Sequence, residues 1–237
     1  MHRGREWFYA HPEEDLREVH WIHYGRYLHE RSQGKPLQYI THRQEFYGRE
    51  FRVTPDVLIP RPETEFLVEA VMKHGGRIID VGTGSGAIAV TLALETSCEV
   101  IATDISSAAL AVAAANAQKF AAKVRFFQAD LLSIFADASA DVVASNPPYV
   151  AESERSTLQR EVRDWEPAQA LFAGLDGLAI YRRLIPEAWR VLKPGGLLAL
   201  EIGFGQAEAV TAMAEGWNGI RVVQDLAEIH RVLVLTR

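Results

Sequence analysis

Cysteine is nearly absent: Cys98 is the one thiol in 237 residues. No internal disulfide can form, and the apolar run around Cys98 reads as a buried strand thiol of a protein kept in a reducing compartment. An excess of positive charge is also missing. The formal net charge of −6 excludes a broad electrostatic grip on nucleic acid and leaves room only for a local basic patch. No apolar run is long enough to cross a bilayer, and the N-terminus has no apolar signal core. Neither an internal repeat nor a low-complexity linker is present. What is there is an ordinary globular balance, 48% hydrophobic and 24% charged. Its length suits one large domain or one domain with an appendage.

The first part of the chain is sparse in pattern. His11-Pro12-Glu13-Glu14-Asp15 places proline and acids where they suit a helix start, and Leu16, Val19, His23 and Tyr27 recur at helical spacing, so a helix is expected over 13–32. His20 and His23 share a face of it, but two imidazoles without further ligands make no metal site, and no metal is expected. Residues 44–53 alternate around Gly48-Arg49 as a β-hairpin. A helix then starts at Pro62, with Glu63 and Glu65 in its first turn and Phe66, Leu67, Ala70 and Val71 on its apolar face.

From residue 77 strands and helices alternate. Strands are expected at 77–81, 98–103, 124–128, 141–145 and 197–202, with helices at 87–95, 106–118, 178–192 and 206–215. Lys193-Pro194-Gly195-Gly196 ends the third of these helices. Strands at 220–224 and 231–235, joined by a short loop, close the chain as an antiparallel hairpin. The fold class is α/β: a mostly parallel sheet covered on both faces. Residues 1–55 are expected to form an N-terminal segment of helix and hairpin, and 56–237 the main domain.

Two stretches carry chemistry. Asp80-Val81-Gly82-Thr83-Gly84-Ser85-Gly86 lies between the first strand of the sheet and its helix, and Asp104 ends the next strand. Glycines permit a tight turn against a ligand, the helix N-terminus offers N–H groups, and an acid at the second strand can accept two ribose hydroxyls. That much is shared with dinucleotide enzymes. The other stretch is Asn146-Pro147-Pro148-Tyr149, which follows the fourth strand. Neither proline has an N–H, so the strand stops and a stiff loop begins at the sheet's carboxyl edge. The Asn146 side-chain oxygen and the proline carbonyls are acceptors, and Tyr149 adds a flat face: a grip for a planar NH₂ group. Asp80, placed to meet the amino group of a methionine moiety, and the Asn-Pro-Pro-Tyr elbow, which no hydride transfer requires, favour S-adenosylmethionine as cofactor.

These motifs resemble those of the N5-glutamine methyltransferases of peptide chain release factors, the PrmC or HemK family. The resemblance runs through Gly34-Lys35-Pro36-Leu37-Gln38-Tyr39-Ile40, Glu45-Phe46-Tyr47-Gly48, Leu58-Ile59-Pro60-Arg61-Pro62-Glu63-Thr64-Glu65, Asp80–Ala87, Asn146–Tyr149, Glu166-Pro167, Asp176-Gly177-Leu178 with Tyr181, and Glu201-Ile202-Gly203 with Gln206. It implies a seven-stranded, Rossmann-like class I methyltransferase fold and a cytoplasmic enzyme that methylates the glutamine amide of the Gly-Gly-Gln motif in release factors. It further implies that Gly82, Thr83, Gly84, Ser85, Gly86 and Asp104 with Ile105 hold S-adenosylmethionine and release S-adenosylhomocysteine. Asp130 and Leu131 would flank the adenine, and Asn146, Pro147, Pro148 and Tyr149 would grip the glutamine. Two departures stand out. One helix precedes the matching region, so the family's helical N-terminal domain is expected to be shortened or absent. Glu228 and His230 stand where the family typically has Gly and Asp. The rival readings are methylation of a glutamine in another protein, such as a ribosomal one, methylation of adenine N6 in nucleic acid, and a non-catalytic relative.

Overall fold

The structure, a computed structural model, describes residues 4–15 and 17–237. Three helices open it: α1 (Arg5–Ala10), α2 (Glu18–Ser32) and α3 (Leu37–Thr41). The helix expected over 13–32 therefore begins only at Glu18, and Leu16 lies outside the described residues. His11–Asp15 forms no helix start; α1 precedes it. Helix α2 has no buried residue, and Val19 and Tyr27, expected on a core face, are exposed.

The hairpin is β1 (Arg43–Phe46) and β2 (Arg49–Arg52), paired antiparallel. Phe46 and Phe51 point from it into the main core. A single 3₁₀ turn at Pro62–Thr64 leads into α4 (Glu65–Val71), because proline at the first position favours a tight start.

The sheet then builds from β3 (Arg77–Val81), α5 (Ala87–Glu95), β4 (Glu99–Asp104), α6 (Ser107–Phe120), β5 (Val124–Gln128) and β6 (Ala140–Ser145). Cys98 falls just before β4 and is half-buried rather than buried. A 3₁₀ segment (Glu152–Thr157) and two short helices, α7 (Arg160–Trp165) and α8 (Ala168–Leu171), follow the elbow. Next come α9 (Ala179–Val191), β7 (Leu192–Glu201), α10 (Ala207–Thr211), β8 (Gly219–Gln224) and β9 (His230–Thr236).

Seven strands lie in the order β5-β4-β3-β6-β7-β9-β8. The first five in that row pair in parallel, and β9 joins β7 and β8 antiparallel. Both faces are covered, as near-continuous apolar strands require. One core packs α4, α5 and the hairpin against Ile78, Val100, Val142 and Ala199; the other packs α9 and the chain around α10 against Ile79, Val143, Leu198 and Leu233. The order reverses between β3 and β6. A crevice opens at such a switch point, outside the carboxyl ends of the two strands, and both motifs of the sequence sit there.

Candidate active site

The glycine turn leaves β3 and folds back on β4: the N–H groups of Gly82 and Thr83 both donate to the Thr103 carbonyl at 2.9 Å. Gly86 starts α5 where the two helices touch, since a Cβ there would lie 3.0 Å from the Ala113 Cβ. Asp104 closes the turn from the next strand. Its Oδ2 accepts from Gly84 N and its Oδ1 from Ser106 N, each at 2.9 Å. Two N–H donors fix the carboxylate and leave each oxygen a further lone pair for a ligand.

The elbow leaves β6 one strand away. Its Asn146 Nδ2 donates to Thr64 Oγ1 at 3.1 Å. The Asn146 Oδ1 is buried and has no hydrogen-bond partner among the described residues, an orphaned acceptor of the kind that native structures fill. A cavity of about 450 Å³ unites the two motifs, a size typical of small-molecule sites. Gly82, Thr83, Gly84, Ser85, Asp104, Ile105, Asp130, Leu131, Asn146, Pro147 and Pro148 all line it.

Three expected site residues stand behind this lining. Asp80 is wholly buried under the turn, where Oδ2 accepts from the Thr83 hydroxyl at 2.6 Å; burial pushes its carboxyl up to about 7 against that hydrogen bond. Gly86 lies below, at the helix contact. Tyr149 packs beside the second core, its hydroxyl pushed up by burial. Its carbonyl accepts from Gln206 Nε2 at 2.9 Å, while Gln206 Oε1 accepts from Gly203 N at 3.0 Å. The chain after the prolines is thus tied to the turn after β7.

The two residues expected to flank an adenine are held differently. Asp130 is paired with Arg183 at 2.7 Å, and both residues line the cavity. Leu131 sits at φ 49°, a conformation that a bulky residue keeps only when its surroundings enforce it.

Residues missed by sequence reasoning complete the walls. Val57, Leu58 and Pro60, and from a distant segment Pro167, Gln169 and Ala170, also line the cavity. The two segments are joined by an Arg61–Glu166 ion pair, and Glu166 also accepts from Ile59 N at 3.1 Å. Thr64 lines the cavity beside Asn146, and Glu201 stands behind them. Glu201 is wholly buried and pushed up to about 7 by burial, against hydrogen bonding from Thr64 and the charge of Arg231. Arg61, Thr64, Glu166 and Glu201 lie inside quoted motifs, which was the one available signal.

The arrangement suits S-adenosylmethionine. A carboxylate with spare lone pairs at the end of β4 matches vicinal ribose hydroxyls, Ile105 and Leu131 are apolar lining residues fit to flank a flat ring, and the cavity extends to the elbow, which carries a buried acceptor without a partner among the described residues. A methyltransferase from Pyrococcus furiosus shares the fold with a TM-score of 0.63 at 18% identity, over 87% of this chain and 98% of that one. A model of the methyltransferase small domain matches residues 62–164. Fold and site together define an α/β methyltransferase that uses S-adenosylmethionine.

Nearer relatives narrow the class. The release factor glutamine methyltransferase of Koribacter versatilis is 46% identical over 237 residues, covering 97% of this chain and 85% of its own length. That of Bacillus subtilis is 47% identical over 210 residues, covering 84% and 73%. The chain belongs to the release factor glutamine methyltransferase family. A model of the PrmC N-terminal domain matches residues 1–41, so α1 to α3 fall on that domain, which is therefore not absent.

Proposed function

We propose that this chain methylates the side-chain amide nitrogen, N5, of the glutamine in the Gly-Gly-Gln motif of peptide chain release factors, in the cytoplasm where those factors act. The observation that carries the reading is the Asn146 Oδ1: a buried acceptor without a partner, on a loop that lines the same cavity as the glycine turn. A glutamine amide is a poor nucleophile, because its nitrogen lone pair is shared with its carbonyl. Asn146 Oδ1 and the Pro147 carbonyl accept the two amide hydrogens and aim the nitrogen. When bound, S-adenosylmethionine supplies an electrophilic methyl group on a sulfonium. Asp104 would hold the ribose, the turn from Gly82 to Gly86 the amino-acid moiety, and Ile105, Asp130 and Leu131 the adenine. Acceptors placed where positive charge develops are the counterpart of an oxyanion hole, and positioning alone can lower a barrier by roughly 7–11 kcal/mol. Tyr149 anchors the elbow from behind.

Mass spectrometry of a release factor incubated with the protein and labelled cofactor tests this reading. A methyl group on the Gly-Gly-Gln glutamine is expected, with no transfer by Asn146→Ala although that variant still binds cofactor in calorimetry. Asp104→Ala is expected to weaken cofactor binding instead. An unmodified release factor alongside methylated nucleic acid or ribosomal protein would overturn the assignment of substrate.

A further inference from the structure

Glu201 is a buried acid without an ion pair. It ends β7, next to the strand that delivers Asn146, and its side chain has no salt bridge within 4.0 Å among the described residues. Buried carboxyls are rare unless paired, and an apolar residue would fill the place at lower desolvation cost. The Thr64 hydroxyl and the Asn146 amide are the polar groups beside it whose hydrogens favour its ionised form. Oε2 has no hydrogen-bond partner among the described residues.

We propose that Glu201 is a positioning residue that holds the Asn146 side chain by its NH₂ group, directly and through Thr64, and so keeps Oδ1 free to accept. The proposal rests on the reading of Asn146 as the grip for the glutamine amide. The argument is one of donors and acceptors. An ionised carboxylate only accepts, so the group facing it must be the Asn146 NH₂ and not its oxygen. Thr64 Oγ1 takes one Nδ2 hydrogen at 3.1 Å, which leaves its own hydroxyl hydrogen for Glu201. With both amide hydrogens engaged on that side, Oδ1 is turned away from Glu201 and left buried without a partner among the described residues. A glutamine at 201 would present either end and permit the flip. Protonation of Glu201 supplies a donor and permits it too.

The groups around Glu201 are Glu63 on the 3₁₀ turn, Arg231 on β9, and Tyr149 and Tyr181. Arg231 is engaged by Asp225 at 2.7 Å, and the Tyr181 hydroxyl donates to the Glu201 backbone carbonyl at 2.8 Å. With its carboxyl pushed up to about 7, Glu201 becomes the anchoring, ionised acid as pH rises through neutrality.

The test compares Glu201→Gln, Thr64→Val, Thr64→Ser and Asn146→Ala in the full chain, with release factor as substrate. Glu201→Gln and Thr64→Val are expected to lower kcat about 10- to 100-fold, the range for losing a supporting partner of a site group, with cofactor affinity unchanged. Thr64→Ser is expected to restore it. The double variant should be no worse than the weaker single one, as members of one relay are not additive. Wild-type kcat should rise with pH through about 7 and stay flat in Glu201→Gln. A second readout needs no turnover: the Asn146 side-chain NH₂ signals in ¹H–¹⁵N spectra should titrate near the same pH in the wild type and not in Glu201→Gln. Wild-type kcat in Glu201→Gln, or NH₂ signals that do not titrate, overturns the proposal. Should Glu201→Gln fail to fold, Thr64→Val decides in the same way. Full activity of Asn146→Ala would instead defeat the reading of the grip itself, and the spectra would still settle whether Glu201 orients the amide.

Discussion

Arg61 and Glu166 lie 105 residues apart in the chain and meet in an ion pair whose carboxylate side chain is 1% exposed. The pair fastens together two cavity-lining rims from distant parts of the chain, around Val57–Pro60 and around Pro167–Ala170. Arg61→Ala leaves a buried acid with only the Ile59 N–H. The expected loss of stability is about 1.5–3 kcal/mol, the range for hydrogen bonds to a charged group, because Arg61 itself is partly exposed and water replaces some of its contribution. The rims at Val57–Pro60 and Pro167–Ala170 loosen together, so cofactor affinity falls as well. Denaturant unfolding and calorimetry on the same preparation check both; unchanged affinity would show that the clasp serves only the fold.

Two buried acids set a pH dependence of stability. Asp80 moves from 3.8 to about 7 and Glu201 from 4.5 to about 7, both chiefly through burial. A folded state with the higher carboxyl pKa binds more protons than the unfolded chain, so each acid opposes folding fully above about pH 7 and not at all below its unfolded pKa. Unfolding free energy is therefore expected to rise as pH falls from about 8 to about 5, with Asp80 alone contributing on the order of 3 kcal/mol. Below that window the sign reverses. Asp176, held at about 2 by Arg182, and Asp141, lowered by the Arg77 N–H and Lys193, then lose their stabilising charge. Urea midpoints across the range check the slope, and Asp80→Asn should flatten it.

The contrast between these groups shows what a linear chain discloses. The turn at Gly82–Gly86, Asp104 and the elbow were legible because each is a run of adjacent residues at a strand end, and strand ends follow from period and punctuation. Thr64, Glu166 and Glu201 gain their roles only when three distant segments pack around Asn146 and the rim, and no spacing announces that. The stretch between the elbow and α9 was equally silent. Its short turns are held by partners far away, such as the isolated bridge of Val150 with Phe172, so no period develops. Lys193-Pro194-Gly195-Gly196 does follow the end of α9, but as a bulge inside β7, where the register jumps from Ala140–Leu192 to Val142–Leu197.

Glu228 sits at φ 61° in the loop between β8 and β9, the position where the family typically has glycine. The Asp225 side chain shapes that loop by accepting from Ala227 N and Ile229 N at 2.8 and 3.0 Å. A left-handed conformation costs an L-residue roughly 1–2 kcal/mol, and the Glu228 side chain is exposed with no bond to lose. Glu228→Gly is thus expected to stabilise the protein by about 1 kcal/mol, without changing methyl transfer. Thermal unfolding of the variant checks the gain; a lower Tm would mean that unfolded-state entropy outweighs the relieved strain.

Gly177 links the far side of the elbow to the reaction. It holds φ +73°, and a Cβ there would lie 2.3 Å from the Tyr149 carbonyl oxygen, 2.9 Å from Gln206 Nε2 and 3.1 Å from Ala151 N. The first contact is with backbone and cannot be relieved by a rotamer, so Gly177→Ala must push Tyr149 and, through two stiff prolines, Asn146. Gly205 provides the control: it has nearly the same φ, +77°, with nothing within 4 Å of its added Cβ. Both alanine variants bear the backbone strain of about 1–2 kcal/mol. Only Gly177→Ala is expected to lose methyl transfer, because misplaced reactants forfeit the advantage of orientation, and it should do so with cofactor affinity intact, since the glycine turn is not displaced. Comparable kcat in the two variants would show that the elbow is not held rigid from behind.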